Sequence, residues 1–203
     1  MDISAQDRER ISRAIHAAEA RTSGEIVCVL ARSSSDAPAL PVLMAAVAAL
    51  ALPWLLVAFT AMTVHGILSL QIFLFLALLV ILLLPRVRLA LVPRKTRRAV
   101  AHRAAAEQFV ARGVARKKDR SGILIFVSLA ERYARIIADD GIAARISQSE
   151  WQTAVDALVA HMRDGRIAEG FVTAIDVCGN ALATHFPRTD ASRDELPDRI
   201  FLI

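Results

Sequence analysis

Between Ala37 and Pro85 the chain carries no Asp, Glu, Lys or Arg, a run of 49 residues in which only His65 can titrate. A helix crossing a bilayer core needs about 20 apolar residues, so this run predicts two spans and a tight turn. The spans are expected at about 41–62 and 67–84. Pro41 suits a first helical turn, where its missing N–H costs nothing. Pro53 should kink the first span, which a membrane bundle tolerates. Thr63-Val64-His65-Gly66 is the one polar break and the expected reversal, with Gly66 supplying backbone freedom. The alternative is a buried hairpin inside a soluble core, but the other 154 residues leave no room to surround two such helices.

Outside this run the periodicity changes. Ser4-Ala5-Gln6-Asp7 has the form of a capping box with Asp in place of Glu. Ile11, Ala14, Ile15 and Ala18 then recur at helical spacing. Thr22-Ser23-Gly24 ends that helix, and Glu25-Ile26-Val27-Cys28-Val29-Leu30 predicts a buried strand. Residues 33–38 read as a linker. Beyond the run, 96–113 predicts a helix with Val100, Ala104, Phe109 and Val110 as its stripe and Gly113 at its end. A charged turn leads to 123–129, a near-continuous apolar run of the kind a strand buried on both faces shows. Ala130-Glu131-Arg132 has hairpin length. A second strand over 133–139 ends in a turn at Asp140-Gly141. Ser147-Gln148-Ser149-Glu150 is a full capping box; it opens a helix with Trp151, Val155, Leu158, Val159 and Met162 on one face, closed by Gly165. A last helix over 167–185 stops at Pro187. The tail is charged, then apolar at Ile200-Phe201-Leu202-Ile203, and leans toward docking on the domain.

Helix–strand before the run and helix–strand–strand–helix–helix after it predict an α/β layer fold with helices covering the sheet. Neither flank looks self-sufficient, so the sheet is expected to be completed across the insert. The expected organisation is a split α/β domain at 1–36 and 86–187, a transmembrane hairpin at 37–85 and a C-terminal tail at 188–203.

Composition sharpens this picture. All 45 formal charges sit outside the uncharged run and make up about 29% of those residues, against an average near 25%. That split excludes a wholly soluble protein and a polytopic transporter, and the apolar content excludes a disordered chain. Cys28 and Cys178 cannot build a disulfide framework and read as small buried hydrophobes. Residues 1–21 carry charges throughout, so they are not read as a signal peptide. Arg86, Arg88, Arg94, Lys95, Arg97 and Arg98 crowd the exit of the second span, and Arg32 precedes the first, whereas the turn between has no cation. Both ends are therefore expected in the cytoplasm. The same six cations suit anionic lipid headgroups, each contributing about 1 kcal/mol near the surface. This role accounts for the basic block, and no nucleic-acid partner is expected.

Asp119, Asp139 and Asp140 are acidic residues at loop ends beside the predicted sheet. Carboxylates on such backbone are the ligands Ca²⁺ or Mg²⁺ requires, and open α/β sheets gather ligands beyond their strand ends. Asp before Gly equally favours a plain turn, and a metal site needs Asp119 or Glu25 to converge on the pair. No phosphate-binding loop, zinc motif or nucleophile elbow is present. The five histidines share no ligand spacing. Residues 116–120 are the one nearby cationic source for clamping a phosphoryl group, and read as well as a solvated turn.

Ala17-Ala18-Glu19-Ala20-Arg21-Thr22-Ser23-Gly24-Glu25-Ile26 resembles the opening of the TPM domain family. Gly122-Ile123-Leu124-Ile125-Phe126-Val127-Ser128, then Glu131-Arg132-Tyr133 and Ile137-Ala138-Asp139-Asp140-Gly141-Ile142, resemble its central hairpin. Gly165, Gly170-Phe171, His185-Phe186-Pro187 and Glu195-Leu196-Pro197 resemble the ending of bacterial membrane-bound members. The resemblance implies a TPM-like layered α/β domain, a mixed sheet covered by helices, in a bacterial membrane-bound protein. Unlike in the lumenal or extracytoplasmic members of the family, the flanking cations place its soluble domain on the cytoplasmic side of the inner (plasma) membrane. The family includes chloroplast lumen proteins with proposed acid phosphatase activity and roles in photosystem repair, and soluble members that bind divalent cations such as calcium. The expected function is a membrane-anchored, non-catalytic module that binds or maintains a membrane protein partner. The alternatives are a divalent-metal-dependent phosphatase and a structural membrane homo-oligomer.

Overall fold

The computed structural model describes residues 3–34, 39–84, 87, 91–116, 120–188 and 196–203. It divides into two compact units, Met1–Ser34 with Arg98–Ile203, and Ser35–Arg97.

The first unit is built on four strands, β1 (Glu25–Ala31), β2 (Gly122–Ser128), β3 (Tyr133–Ala138) and β4 (Ile200–Leu202), in the order β3-β2-β1-β4. β1 runs parallel to β2 and β4, and β3 runs antiparallel to β2, so the sheet is mixed. β1 and β2 are buried along their whole length, which is why their sequences are apolar on both faces. Ile26, Cys28, Leu30, Ile123, Ile125 and Val127 face one layer of helices. That layer is α1 (Ala5–Glu19), α6 (Gln148–Arg163) and α7 (Ile167–His185), which contribute Ile11, Ile15, Trp151, Leu158, Phe171 and Ile175. Val27, Val29, Leu124 and Phe126 alternate to the opposite face, where Ala104, Ala105 and Phe109 of α4 (Arg94–Ala111) and Val114 cover them. Helices on both sides of a parallel pair are what burial of two apolar faces demands.

Local signals set the helix ends. The Ser4 hydroxyl accepts the Asp7 N–H at 3.0 Å to open α1. Ser147 and Glu150 form the full capping box of α6. At its other end Gly165 takes a left-handed φ of 77° while Arg166 N–H reaches back to the His161 carbonyl at 3.0 Å, closing the last turn.

Parallel neighbours cannot be joined by a tight turn and need a long crossover. The connection from β1 to β2 is that crossover, and it contains α4 together with the whole second unit. An insert there interrupts no strand pairing.

The second unit is a helical hairpin, α2 (Ala39–Phe59) and α3 (Val64–Leu83), packed against one another. Both are long and apolar enough to cross a membrane, and only 11% and 6% of their apolar windows are buried. The reversal falls at residues 60–63, earlier than the 63–66 expected from sequence. Thr63 is the N-cap, its hydroxyl accepting the Gly66 N–H at 3.4 Å, so Val64, His65 and Gly66 belong to α3. Capping outweighed glycine freedom.

Two further differences concern ends of elements. Asp140-Gly141, expected as a turn, starts a short helix, α5 (Asp140–Ala143), capped by Asp139. The last residues dock as β4, with Cys28 opposite Ile200 and Arg32 N–H donating to the Ile203 carbonyl at 2.9 Å.

Candidate functional site

β1 and β2 begin, and β3 ends, at the same end of the sheet. Glu25 N–H donates to the Ser121 carbonyl and Asp139 N–H to the Gly122 carbonyl, both at 3.0 Å. Asp139 is buried; its Oδ1 accepts the Asp140 N–H at 2.7 Å, and its Oδ2 has no hydrogen-bond partner among the described residues. Asp140 points the other way, exposed, and pairs with Arg120 at 3.1 Å. Arg120 itself has a left-handed φ of 48°. A Cβ on Gly141 would stand 2.6 Å from the Arg120 carbonyl oxygen, so only glycine lets these two backbones approach.

Asp139 and Asp140 therefore do not converge, and Asp119 lies outside the described residues. Successive positions at a helix start point in different directions, which is why adjacency in sequence does not make a chelate. Asp139 supplies one unused buried oxygen that fits a cation, whereas Asp140 is committed to Arg120. Among the described residues no group of three or more His, Cys, Asp and Glu is placed to hold a metal ion. They do not by themselves complete the shell Ca²⁺ or Mg²⁺ takes.

The opposite end of the sheet carries a polar hub the sequence did not reveal. Glu131, in the β2–β3 connection, is buried and accepts the Ser33 hydroxyl and the Ser34 N–H, each at 3.0 Å. The Ser128 hydroxyl also donates to Glu131, and the Ser34 hydroxyl donates to Ser128 at 2.9 Å. One carboxylate thus fastens the point where the chain leaves β1. The available signal was a Glu in a tight connection between two apolar strands.

Cys28 and Cys178 are buried free thiols, and burial pushes both well above the ordinary thiol range. Burial therefore disfavours the thiolate, the reactive form, at both. Of the six cations expected to meet lipid, Arg94, Lys95, Arg97 and Arg98 open α4, whose first turn holds no acidic residue; Arg86 and Arg88 lie outside the described residues. Arg135 on β3 donates to His102 Nδ1 of α4 at 2.9 Å, which requires an unprotonated acceptor nitrogen.

The TPM domain family matches residues 85–181, from the end of the hairpin through most of α7. The match spans just under half of the chain and is a likeness to that family over this segment. The matched segment holds β2 and β3 but neither β1 nor β4, which complete the same sheet. The NMR structure of BA42 protein from the psychrophilic bacteria Bizionia argentinensis is similar, with a TM-score of 0.64 at 21% identity over 100% of this chain and 96% of that one. At that identity the likeness is one of fold, and it supports a TPM-like mixed α/β domain. No curated protein matches the chain.

Proposed function

We propose that the chain is a membrane-anchored TPM domain protein whose α/β unit binds or maintains a membrane protein partner. The observation that carries the anchor is the hairpin surface: Trp54 and Phe59 are 82% and 83% exposed, and large apolar side chains cover both helices. Leaving such a surface in water would cost about 25 cal/mol per Å², whereas a bilayer accommodates it. Sheet pairing then supports the topology. β1 precedes the hairpin and lies between β2 and β4, which follow it, so the chain crosses the bilayer an even number of times. Arg94, Lys95, Arg97 and Arg98 favour the cytoplasmic side of a bacterial plasma membrane, facing anionic headgroups.

The binding role is supported by how the buried carboxylates are used. Glu131 ties the exit of β1, Glu19 accepts the Ile26 N–H at 2.7 Å, and Asp139 caps α5. These are structural ties, which a rigid recognition surface needs. Extraction in mild detergent should bring down a membrane protein with the chain. Recovery as a solitary protein in every gentle pull-down contradicts the reading, and cross-linking in native membranes to copies of itself alone would favour the homo-oligomer.

The free Asp139 Oδ2 favours one second reading, a divalent-metal-dependent phosphatase. Turnover of p-nitrophenyl phosphate with Mg²⁺, Ca²⁺ or Mn²⁺ that disappears in Asp139→Asn supports it. Turnover unchanged by that substitution excludes it.

A further inference from the structure

β3 closes one side of the sheet and pairs with β2 alone. The Asp139 N–H donates to the Gly122 carbonyl at 3.0 Å, which fixes the alternation along this antiparallel ladder. Tyr133, Arg135 and Ile137 therefore exchange hydrogen bonds with Ser128, Phe126 and Leu124. Ala134, Ile136 and Ala138 turn both N–H and carbonyl outward. No other strand, turn or cap among the described residues takes them up.

Open edges are ordinarily guarded by brevity, proline, a bulge or charge. β4, on the opposite side of the sheet, is only three residues long. β3 has six, contains no proline, and keeps an unbroken register with β2. Its one charged side chain, Arg135, is drawn to His102 of α4. This edge carries none of the usual guards.

We propose that the outer edge of β3 pairs antiparallel with β3 of a second copy, joining two four-stranded sheets into one about a two-fold axis at Ile136. In this register Ile136 lies opposite its own counterpart, and Ala134 lies opposite Ala138 of the second copy. All three outward residues of both strands are then satisfied. Their side chains share the α1, α6 and α7 side of the sheet, where the two alanines leave room beside each isoleucine. The charges fit the same register. Arg132 comes opposite Asp140 of the second copy and Arg135 opposite Ile137, so no like charges meet. Parallel pairing in equal register would set each arginine beside its own copy, which is unfavourable.

The full chain in detergent micelles, measured by light scattering with the detergent subtracted, should have twice the mass of one chain. Ala134→Pro removes an outward N–H, keeps every bond to β2, and should halve that mass. Disulfide capture in native membranes gives a second reading that needs no proline. In a background lacking Cys28 and Cys178, chains with Ala134→Cys and chains with Ala138→Cys are co-expressed under different tags. The paired positions lie about 5.5 Å apart between Cα atoms, within disulfide reach. Two copies of Ala134→Cys are offset by about 13 Å along the strand, beyond it. Mixed disulfides should therefore form, and Ala134→Cys alone should give none. A monomeric wild type, a dimer that survives Ala134→Pro, or an absence of mixed disulfides overturns the proposal. So does a monomer whose Ala134→Pro variant loses a membrane protein from its pull-down, because the edge then belongs to that partner. These readings score contacts between copies, so they stand or fall separately from the recovery of a partner.

Discussion

Removing the Glu131 carboxylate should loosen the exit of β1 by an amount the hub geometry sets. In Glu131→Ala, the Ser34 N–H and the Ser128 hydroxyl lose a buried acceptor, and the Ser33 hydroxyl loses its bond at 3.0 Å. Ser128 is fully buried, so water does not replace the acceptor there. A buried donor left unsatisfied costs about 1–3 kcal/mol, and Ser34 can turn its hydroxyl to part of the load, so about 3 kcal/mol is expected in all. Glu131→Gln keeps one oxygen, which serves Ser34 and Ser128 when the amide is turned toward them, while its NH₂ faces Ser33, whose hydroxyl can accept. Only the assistance of the charge is lost, and about 1 kcal/mol is expected. Urea unfolding in detergent, followed through the buried Trp151 in a Trp54→Phe background, measures both. An Ala variant within about 0.5 kcal/mol of wild type refutes the hub. So does a Gln variant as damaging as Ala, since shape would then be responsible.

Stability should also fall as pH rises from about 4.5 to about 9, because the unfolded Glu19 carboxyl ionises across that window and the folded one does not. The contribution is full below the unfolded value and is lost as pH rises through the folded one. At pH 7 the loss is about 3 kcal/mol, so Glu19→Gln should be more stable than wild type at pH 8 and close to it at pH 4.5. Unchanged melting temperatures at both pH values contradict this. Gly141→Ala must displace the Arg120 carbonyl from 2.6 Å, and a loss of about 1–3 kcal/mol is expected by thermal melting. Leu158→Ala, in the packed layer between α6 and α7, should cost about 2–5 kcal/mol in the same assay.

The hairpin and the central strands were legible because their signals are local and long. An uncharged run of 49 residues and a strand apolar on both faces need no knowledge of the rest of the chain. The capping boxes at Ser4 and Ser147 are local as well. β4 was legible only as an apolar ending: three residues show no period, and its partner β1 lies far upstream in sequence. The reversal of the hairpin was displaced because a threonine cap competes with a glycine turn, and residues 60–66 offer both. The site fared differently. Asp139 and Asp140 are adjacent in sequence yet diverge in space, since one caps α5 and the other meets Arg120. Glu131 with Ser34, and Asp198 with His16, are ties across the fold, and each acidic residue alone reads as solvated surface. Pairings of that kind appear only once the sheet has brought the strand ends together.

The central claim is a single α/β unit split by a membrane hairpin, and cysteine accessibility in intact bacterial cells tests it most directly. Single cysteines at Arg8, His65 and Arg163, all exposed, are placed in a background lacking Cys28 and Cys178. The account predicts that His65→Cys reacts with a membrane-impermeant maleimide from outside. Arg8→Cys and Arg163→Cys should react only after the cells are opened. Labelling of Arg8→Cys and Arg163→Cys from opposite sides of the membrane would contradict it, because β1 and β2 could then not share a sheet.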